Sequence, residues 1–264
     1  MKPGRIETAF AAARRPVFIP YVTAGDPTAD TTLAICLVLA EEGAGVIELG
    51  VPFSDPVADG PVIQRACERA LKEGMTLSRA LDLAMRVRAE SGVALVLFTY
   101  VNPILRMGIE LFALRAAASG IDGVLATDLP FEESGPLRAA LDAHEIRTIT
   151  LLAPTSGAPR IALLPKSSGG FVYYISRTGV TGEKAALAPG LADEVAALRK
   201  ATSLPVAVGF GISTAEQYSR VAEIADGVVV GSAIVRAIEE GKSDPVGAAR
   251  AAARRIAGRG QGFG

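Results

Sequence analysis

One histidine, no tryptophan and six lysines stand among the 264 residues, and the two cysteines carry no CxxC or other metal-binding spacing. With His144 alone, and falling at the end of a helical pattern, a zinc centre of the usual tetrahedral kind lacks ligands. Lys2, Lys72, Lys166, Lys184, Lys200 and Lys242 all lie outside the apolar runs that read as strands. None is therefore placed as a desolvated Schiff-base nucleophile. Metal-assisted and Schiff-base aldol chemistry are both disfavoured by these absences. Cys36 and Cys67 read as reduced thiols in helices of a cytoplasmic protein. No apolar run approaches the ~20 residues of a membrane span, and no basic segment followed by an apolar one marks a secretory leader. The 27 basic and 28 acidic residues are evenly spread, leaving a net charge of −1. A nucleic-acid surface would need a basic field instead.

What is present is a repeating pattern. Short β-branched runs fall at Val17–Thr23, Val46–Leu49, Ala94–Tyr100, Gly123–Ala126, Arg147–Leu152, Gly170–Ile175, Val206–Val208 and Gly227–Val230. Helical patterns separate them at Thr28–Glu42, Thr76–Ser91, Ile109–Ser119, Phe131–His144, Pro159–Leu164, Leu191–Thr202 and Thr214–Ala222, and Asp244–Ala257 closes the chain. Continuous apolar strands joined by helices imply parallel pairing with both faces covered. Eight such units in this length indicate an α/β protein with a (β/α)8 TIM barrel. An open doubly wound sheet is the alternative fold. Three extra helices decorate the scheme: Arg5–Arg14 before the first strand, Pro61–Glu73 after the second, and Ser232–Glu240 after the eighth, with Ser232 read as its cap. No low-complexity linker interrupts the chain, so residues 1–264 read as one domain with a frayed tail at Gly258–Gly264.

In such barrels the chemistry sits at the C-terminal ends of the strands. The seventh strand ends in Gly209-Phe210-Gly211-Ile212-Ser213 and the eighth in Val230-Gly231-Ser232-Ala233-Ile234, each opening a helix. Glycines let backbone amides approach an anion, and a helix start directs free N–H groups and positive dipole toward it. One such loop could be a tight turn and nothing more. Two at consecutive strand ends point to a phosphate site, one without Lys or Arg. On the second strand, Glu48 lies between Ile47 and Leu49, where desolvation raises a carboxyl pKa into the range useful for proton transfer. A buried structural glutamate is the other reading. The following loop adds Asp55, which could simply form a turn, and Asp59, which could simply cap the Pro61 helix. Three carboxylates at one strand end, opposite an anion site, favour acid/base catalysis.

Four segments resemble one family. Phe18 through Pro27, Glu48 through Pro61, Ser176 through Gly182 and Gly209 through Ser213 are similar to the alpha subunit of tryptophan synthase, over about Phe10 to Glu240. That resemblance implies a lyase of tryptophan biosynthesis, splitting indole-3-glycerol phosphate into indole and glyceraldehyde 3-phosphate by a carboxylate-assisted retro-aldol reaction. It makes Glu48 the proton shuttle and Asp59 the partner of the indole N–H. Tyr173 would orient Glu48, and Thr181 would close over Asp59 from a lid at Ser176–Leu187. Gly182, Gly211, Gly231 and Ser232 would cradle the phosphate. Tyr21, Phe98 and Tyr100 would line the indole slot, and Asp55 and the loop around Asn102 and Pro103 would face a partner. No metal or cofactor is implied for this chain; the partner is a pyridoxal-phosphate-dependent beta subunit in an alpha2-beta2 tetramer. The remaining alternatives are a stand-alone lyase releasing free indole, a catalytically silent barrel that activates a partner, and a phosphoribosyl isomerase barrel. The loop bearing Glu48 and Asp59 speaks against the last.

Overall fold

Every residue of Val17–Thr23 is buried, and so is every residue of Val46–Gly50. Strands covered on both faces need two apolar partners, and alternation supplies one to each face. The computed structural model describes residues 4–13, 16–156, 169–175, 190–209 and 211–258. In it, Ile19, Val46, Val96, Leu125, Phe171, Ala207 and Val229 meet in one inner cluster. Their neighbours of opposite parity, among them Phe18, Ile47, Leu97, Val172, Val208 and Val228, pack outward against helices. A one-residue slip in any strand would exchange these two sets.

The described elements run α1 (Arg5–Ala12), β1 (Val17–Thr23), α2 (Ala29–Glu41), β2 (Val46–Gly50), α3 (Pro61–Lys72), α4 (Leu77–Glu90), β3 (Ala94–Thr99), α5 (Val101–Met107), α6 (Ile109–Ala118) and β4 (Gly123–Ala126). They continue with a 3₁₀ turn (Phe131–Glu133), α7 (Gly135–Asp142), β5 (Arg147–Thr148), β6 (Thr150–Leu152), β7 (Val172–Ile175), α8 (Leu191–Ala201), β8 (Val206–Gly209), α9 (Ala215–Ala222), β9 (Gly227–Val230), α10 (Ser232–Glu240) and α11 (Pro245–Ala257). All the pairings are parallel, in the order β5-β4-β3-β2-β1-β9-β8-β7-β6. The two ends of that order are halves of one extended segment. Arg147–Thr148 pairs with β4, Ile149 donates to the Val124 carbonyl at 2.9 Å, and Thr150–Leu152 pairs with β7. The sheet therefore returns on itself as a (β/α)8 barrel, and the single fifth strand of the sequence reading is two short ones.

Helix α1 sends Ile6, Ala9 and Phe10 into the inner cluster and plugs the N-terminal end of the barrel. Helix starts are fixed where the sequence offers a side-chain acceptor: Thr28 takes the Thr31 amide, Thr76 the Arg79 amide and Asp244 the Gly247 amide. Two expectations are corrected here. Ser232 is the first residue of α10 rather than its cap; Gly231 occupies the cap position and no side chain bonds there. Asn102 and Pro103 lie in helix α5 rather than in a loop, because a proline in the first turn lacks only an N–H that would have no helical partner. The segments Pro159–Leu164 and Ser176–Leu187, together with residues 259–264, lie outside the described residues.

Candidate active site

Strand β2 points Glu48 into the barrel, where it is 1% exposed and its Oε1 has no hydrogen-bond partner. Burial alone drives its carboxyl up to about 8. At neutral pH such a group holds its proton, yet is close enough to titration to give it up and recover it. In register, Glu48 lies between Tyr21 of β1 and Val96 of β3. Across the mouth, buried Tyr173 of β7 is raised well above the ordinary phenol value, first by burial, then by the charges of Glu48 and Asp59. A Cβ at Gly209 would overlap the Tyr173 hydroxyl, so the glycine at the end of β8 makes room for that ring.

Asp59 is half-buried in the loop that follows β2. Burial raises its carboxyl, and a hydrogen bond from Tyr100 opposes the rise. That bond is 3.0 Å from the Tyr100 hydroxyl to Oδ2, and the same hydroxyl accepts from the Ala58 amide at 3.1 Å. Phe53 stacks on the Tyr100 ring, with centroids 5.0 Å apart and planes at 29°. Gln64 of α3 holds the Asp59 carbonyl at 2.8 Å. Asp59 does not cap α3: Gly60 is the cap and no side chain bonds to that helix start. Tyr100 thus holds the acid loop as well as lining the mouth, a role the sequence reading missed. The available signal was adjacency, since β3 pairs with β2 and its end must meet the loop leaving β2.

Tyr21 and Phe98 meet edge to face at 5.3 Å and 81°. Val62 and Ala66 of α3 and Val235 of α10 join Tyr21 in a small cluster that closes this side of the mouth. The two helix starts that the sequence offers for an anion differ in what their amides already bond. The Thr214 side chain accepts from the Gln217 amide, and the Gln217 side chain accepts from the Ser213 and Thr214 amides, so α9 is capped internally. Helix α10 is different. Its cap is Gly231, and among the described residues the amides of Ser232 and Ala233 have no acceptor. Gly211, two residues past the end of β8, faces solvent with φ +74°, a conformation that favours glycine. Gly182 and Thr181 lie outside the described residues.

Asp55 is exposed and accepts from the Ser54 hydroxyl at 2.6 Å, a turn-forming contact. Asn102 is exposed on α5, with Pro103 partly buried beside it. His144 follows α7 and lines a cavity of about 250 Å³ with Arg5, Glu7 and Arg147 of the opposite barrel end. Both cysteines are free, buried and helical, Cys36 in α2 and Cys67 in α3. Among the described residues, no group of three or more His, Cys, Asp or Glu is arranged to hold a metal ion.

Desolvated carboxylates at the C-terminal mouth of a closed parallel barrel place the chain among (β/α)8-barrel enzymes that work by acid/base chemistry. Comparison narrows that class. A family model described as tryptophan synthase alpha chain matches residues 8–258. The tryptophan synthase alpha chain of Solibacter usitatus is 51% identical over 237 residues, 90% of this chain and 89% of that one. That of Geobacter sulfurreducens is 50% identical, over 89% of this chain and 90% of its own. Among solved structures, tryptophan synthase subunit alpha from Legionella pneumophila superposes with a TM-score of 0.86 at 36% identity, covering 94% of this chain and 95% of that one. A chain from the tryptophan synthase a2b2 complex of Pyrococcus furiosus gives 0.82 at 37% identity, covering 92% and 99%. This chain belongs to the tryptophan synthase alpha chain family.

Proposed function

We propose that Glu48 and Asp59 carry out the alpha reaction of tryptophan synthase, the lyase cleavage of indole-3-glycerol phosphate to indole and glyceraldehyde 3-phosphate. The observation that carries this reading is a buried, unpartnered Glu48 whose carboxyl sits near 8. Protonated Glu48 delivers its proton to the indole ring carbon bearing the side chain. The ring nitrogen becomes positive, and Asp59 accepts the N–H and stabilises that charge. The Glu48 carboxylate then takes the proton of the adjacent chain hydroxyl as the carbon–carbon bond breaks. Its electrons neutralise the ring, the carbinol becomes an aldehyde, and Glu48 is again protonated. Tyr173 flanks the shuttle, and the exposed start of α10, with Gly211 and Gly182, takes the phosphate. The lid role that the resemblance gives Thr181 falls outside the described residues.

The chain needs no cofactor of its own in this scheme; in the family, pyridoxal phosphate belongs to the beta subunit. We read residues 1–264 as one barrel domain of the cytoplasm, joined to beta subunits as an alpha2-beta2 tetramer through the end that bears Asp55 and Asn102. No helix among the described residues is long and apolar enough to cross a membrane. Family membership does not favour a stand-alone lyase or a silent barrel.

The test is cleavage of indole-3-glycerol phosphate by Glu48→Gln and Asp59→Asn, with and without a beta subunit. Each variant should lose ~10²–10⁴-fold in turnover, the range for a lost acid/base group, while keeping a native unfolding transition. Half of wild-type activity in either variant would remove that residue from the mechanism.

A further inference from the structure

Thr23 ends β1 on the inward face, 2% exposed, and its Oγ1 has no hydrogen-bond partner. Buried hydroxyls without partners are uncommon, because the lost hydration is not replaced. Beside it is the Tyr21 phenol, which burial raises well above the ordinary value, with Cys67 and Asp59 adding to the rise; the Thr23 hydroxyl is near enough to offset a little of it but is not placed to make a hydrogen bond. The Tyr21 side chain lies between two glycines, and only at Gly50 does its ring need the missing Cβ. A Cβ at Gly50 would overlap its hydroxyl, and one at Gly231 would stand 3.6 Å from the Tyr21 Cβ. The residue therefore spans from the start of α10 to the end of β2, two positions beyond Glu48.

Strand order gives this span a meaning. β1 lies between β2, which carries Glu48, and β9, which ends at Gly231. A substrate with its reacting carbon at Glu48 and its phosphate at α10 must lay its three-carbon chain across the end of β1. That chain carries two hydroxyls. One loses its proton to Glu48 and becomes the aldehyde oxygen; the central one survives unchanged. Nothing in the acid/base scheme engages it.

We propose that the Thr23 and Tyr21 hydroxyls form a polar subsite at the end of β1 that binds the central hydroxyl of the substrate chain. The subsite rests on the cleavage reading above and extends it to substrate choice. A site built to hydrogen-bond a hydroxyl discriminates strongly against an analogue without one, since its own buried groups are then left unpaired. The apolar slot alone could not make that distinction.

The experiment compares two constants in Thr23→Val and Tyr21→Phe, both close to isosteric. One is kcat/KM for indole-3-glycerol phosphate; the other is the inhibition constant of indole-3-propanol phosphate, the same skeleton with both hydroxyls replaced by hydrogen. Each variant should lower kcat/KM by about tenfold, the effect of one buried neutral hydrogen bond, and leave the inhibition constant unchanged. Thr23→Ser, which keeps the hydroxyl, should restore the substrate constant and guards against a folding defect in Thr23→Val. Equal losses for substrate and analogue, or no change in either, would overturn the subsite. Failure of the wild-type chain to cleave the substrate would instead overturn the reaction itself.

Discussion

Two carboxylates a loop apart are tuned differently by what surrounds them. Glu48 is enclosed by inner-face side chains with no donor on Oε1, and burial is the whole cause of its shift to about 8. Asp59 is less enclosed and receives the Tyr100 hydroxyl, so the same desolvation is partly offset. The arrangement gives a proton donor beside an acceptor, the division of labour the reaction needs. It also ties stability to pH. The folded carboxyl of Glu48 keeps its proton to about pH 8, whereas the unfolded chain loses it near the ordinary value of 4.5. The stabilising contribution of bound proton is complete below 4.5 and is lost as pH rises through about 8. Glu48→Gln, neutral at every pH, should match wild-type melting in acid and exceed it above pH 8, and wild-type kcat/KM should fall across that upper limb. A Glu48→Gln variant no more stable than wild type in alkali would place the glutamate in a solvated setting. Tyr100→Phe tests the neighbouring bond: losing one hydrogen bond to a charged group should cut kcat/KM about tenfold and move the Asp59 titration further upward. An unchanged pH profile would confine Tyr100 to packing.

Among the elements, α3 and α10 are the pair that sets the mouth, and a charge cluster clamps them. Arg69 of α3 reaches Asp26 at 2.8 Å and Glu239 of α10 at 2.6 Å, while Arg65 forms a two-pronged bond to Glu239 at 2.8 and 2.7 Å. Asp26 has a side chain only 2% exposed, whereas Arg65 is 49% exposed. Removing the partner of a buried charge costs far more than removing a solvated one. Arg69→Met should therefore destabilise by about 2 kcal/mol, below the ~3–5 of a wholly buried pair because Arg69 itself is partly solvated. Arg65→Met should cost at most about 1 kcal/mol. Equal shifts in the urea midpoint would mean that burial of Asp26 does not govern the cluster. The sequence made α3 and α10 visible through Pro61 and Ser232 at their starts, but not this clamp, whose partners are up to 174 residues apart. It also misread α5, since Pro103 looks like a loop residue until its first-turn position is known. The Thr214-to-Gln217 capping box was written in the sequence, and its use of the amides at the start of α9 leaves the start of α10 as the one with free amides for the proposed phosphate.

At the scale of the whole molecule, the barrel was legible because its signal repeats: alternation within each strand and helix between strands recur around the ring. Closure was not legible in detail, for the hinge at Ile149 depends on pairing with β4 and β7 at once. The proposed catalytic pair was legible from Glu48 set among apolar neighbours, whereas the orphaned Thr23 hydroxyl is a property of packing that no spacing encodes. Partner binding belongs to this scale as well. The end of the barrel that carries the mouth also carries exposed apolar groups: Val57 is 86% exposed in the acid loop and Leu105 56% exposed on α5. Asn102 and Leu105, three residues apart, share a helix face. Two residues upstream of α5's exposed face, Tyr100 bonds both Ala58 and Asp59, so the docking proposed for this end would have a direct path from α5 to the acid loop. Leu105→Asp places a charge on that face without touching the mouth. It should leave the isolated chain's turnover intact, yet abolish co-elution with a beta subunit and the rate increase that the subunit brings. Wild-type co-elution and stimulation in Leu105→Asp would move the docking face off α5, whereas loss of stimulation with binding retained would assign α5 to the transmission of the signal.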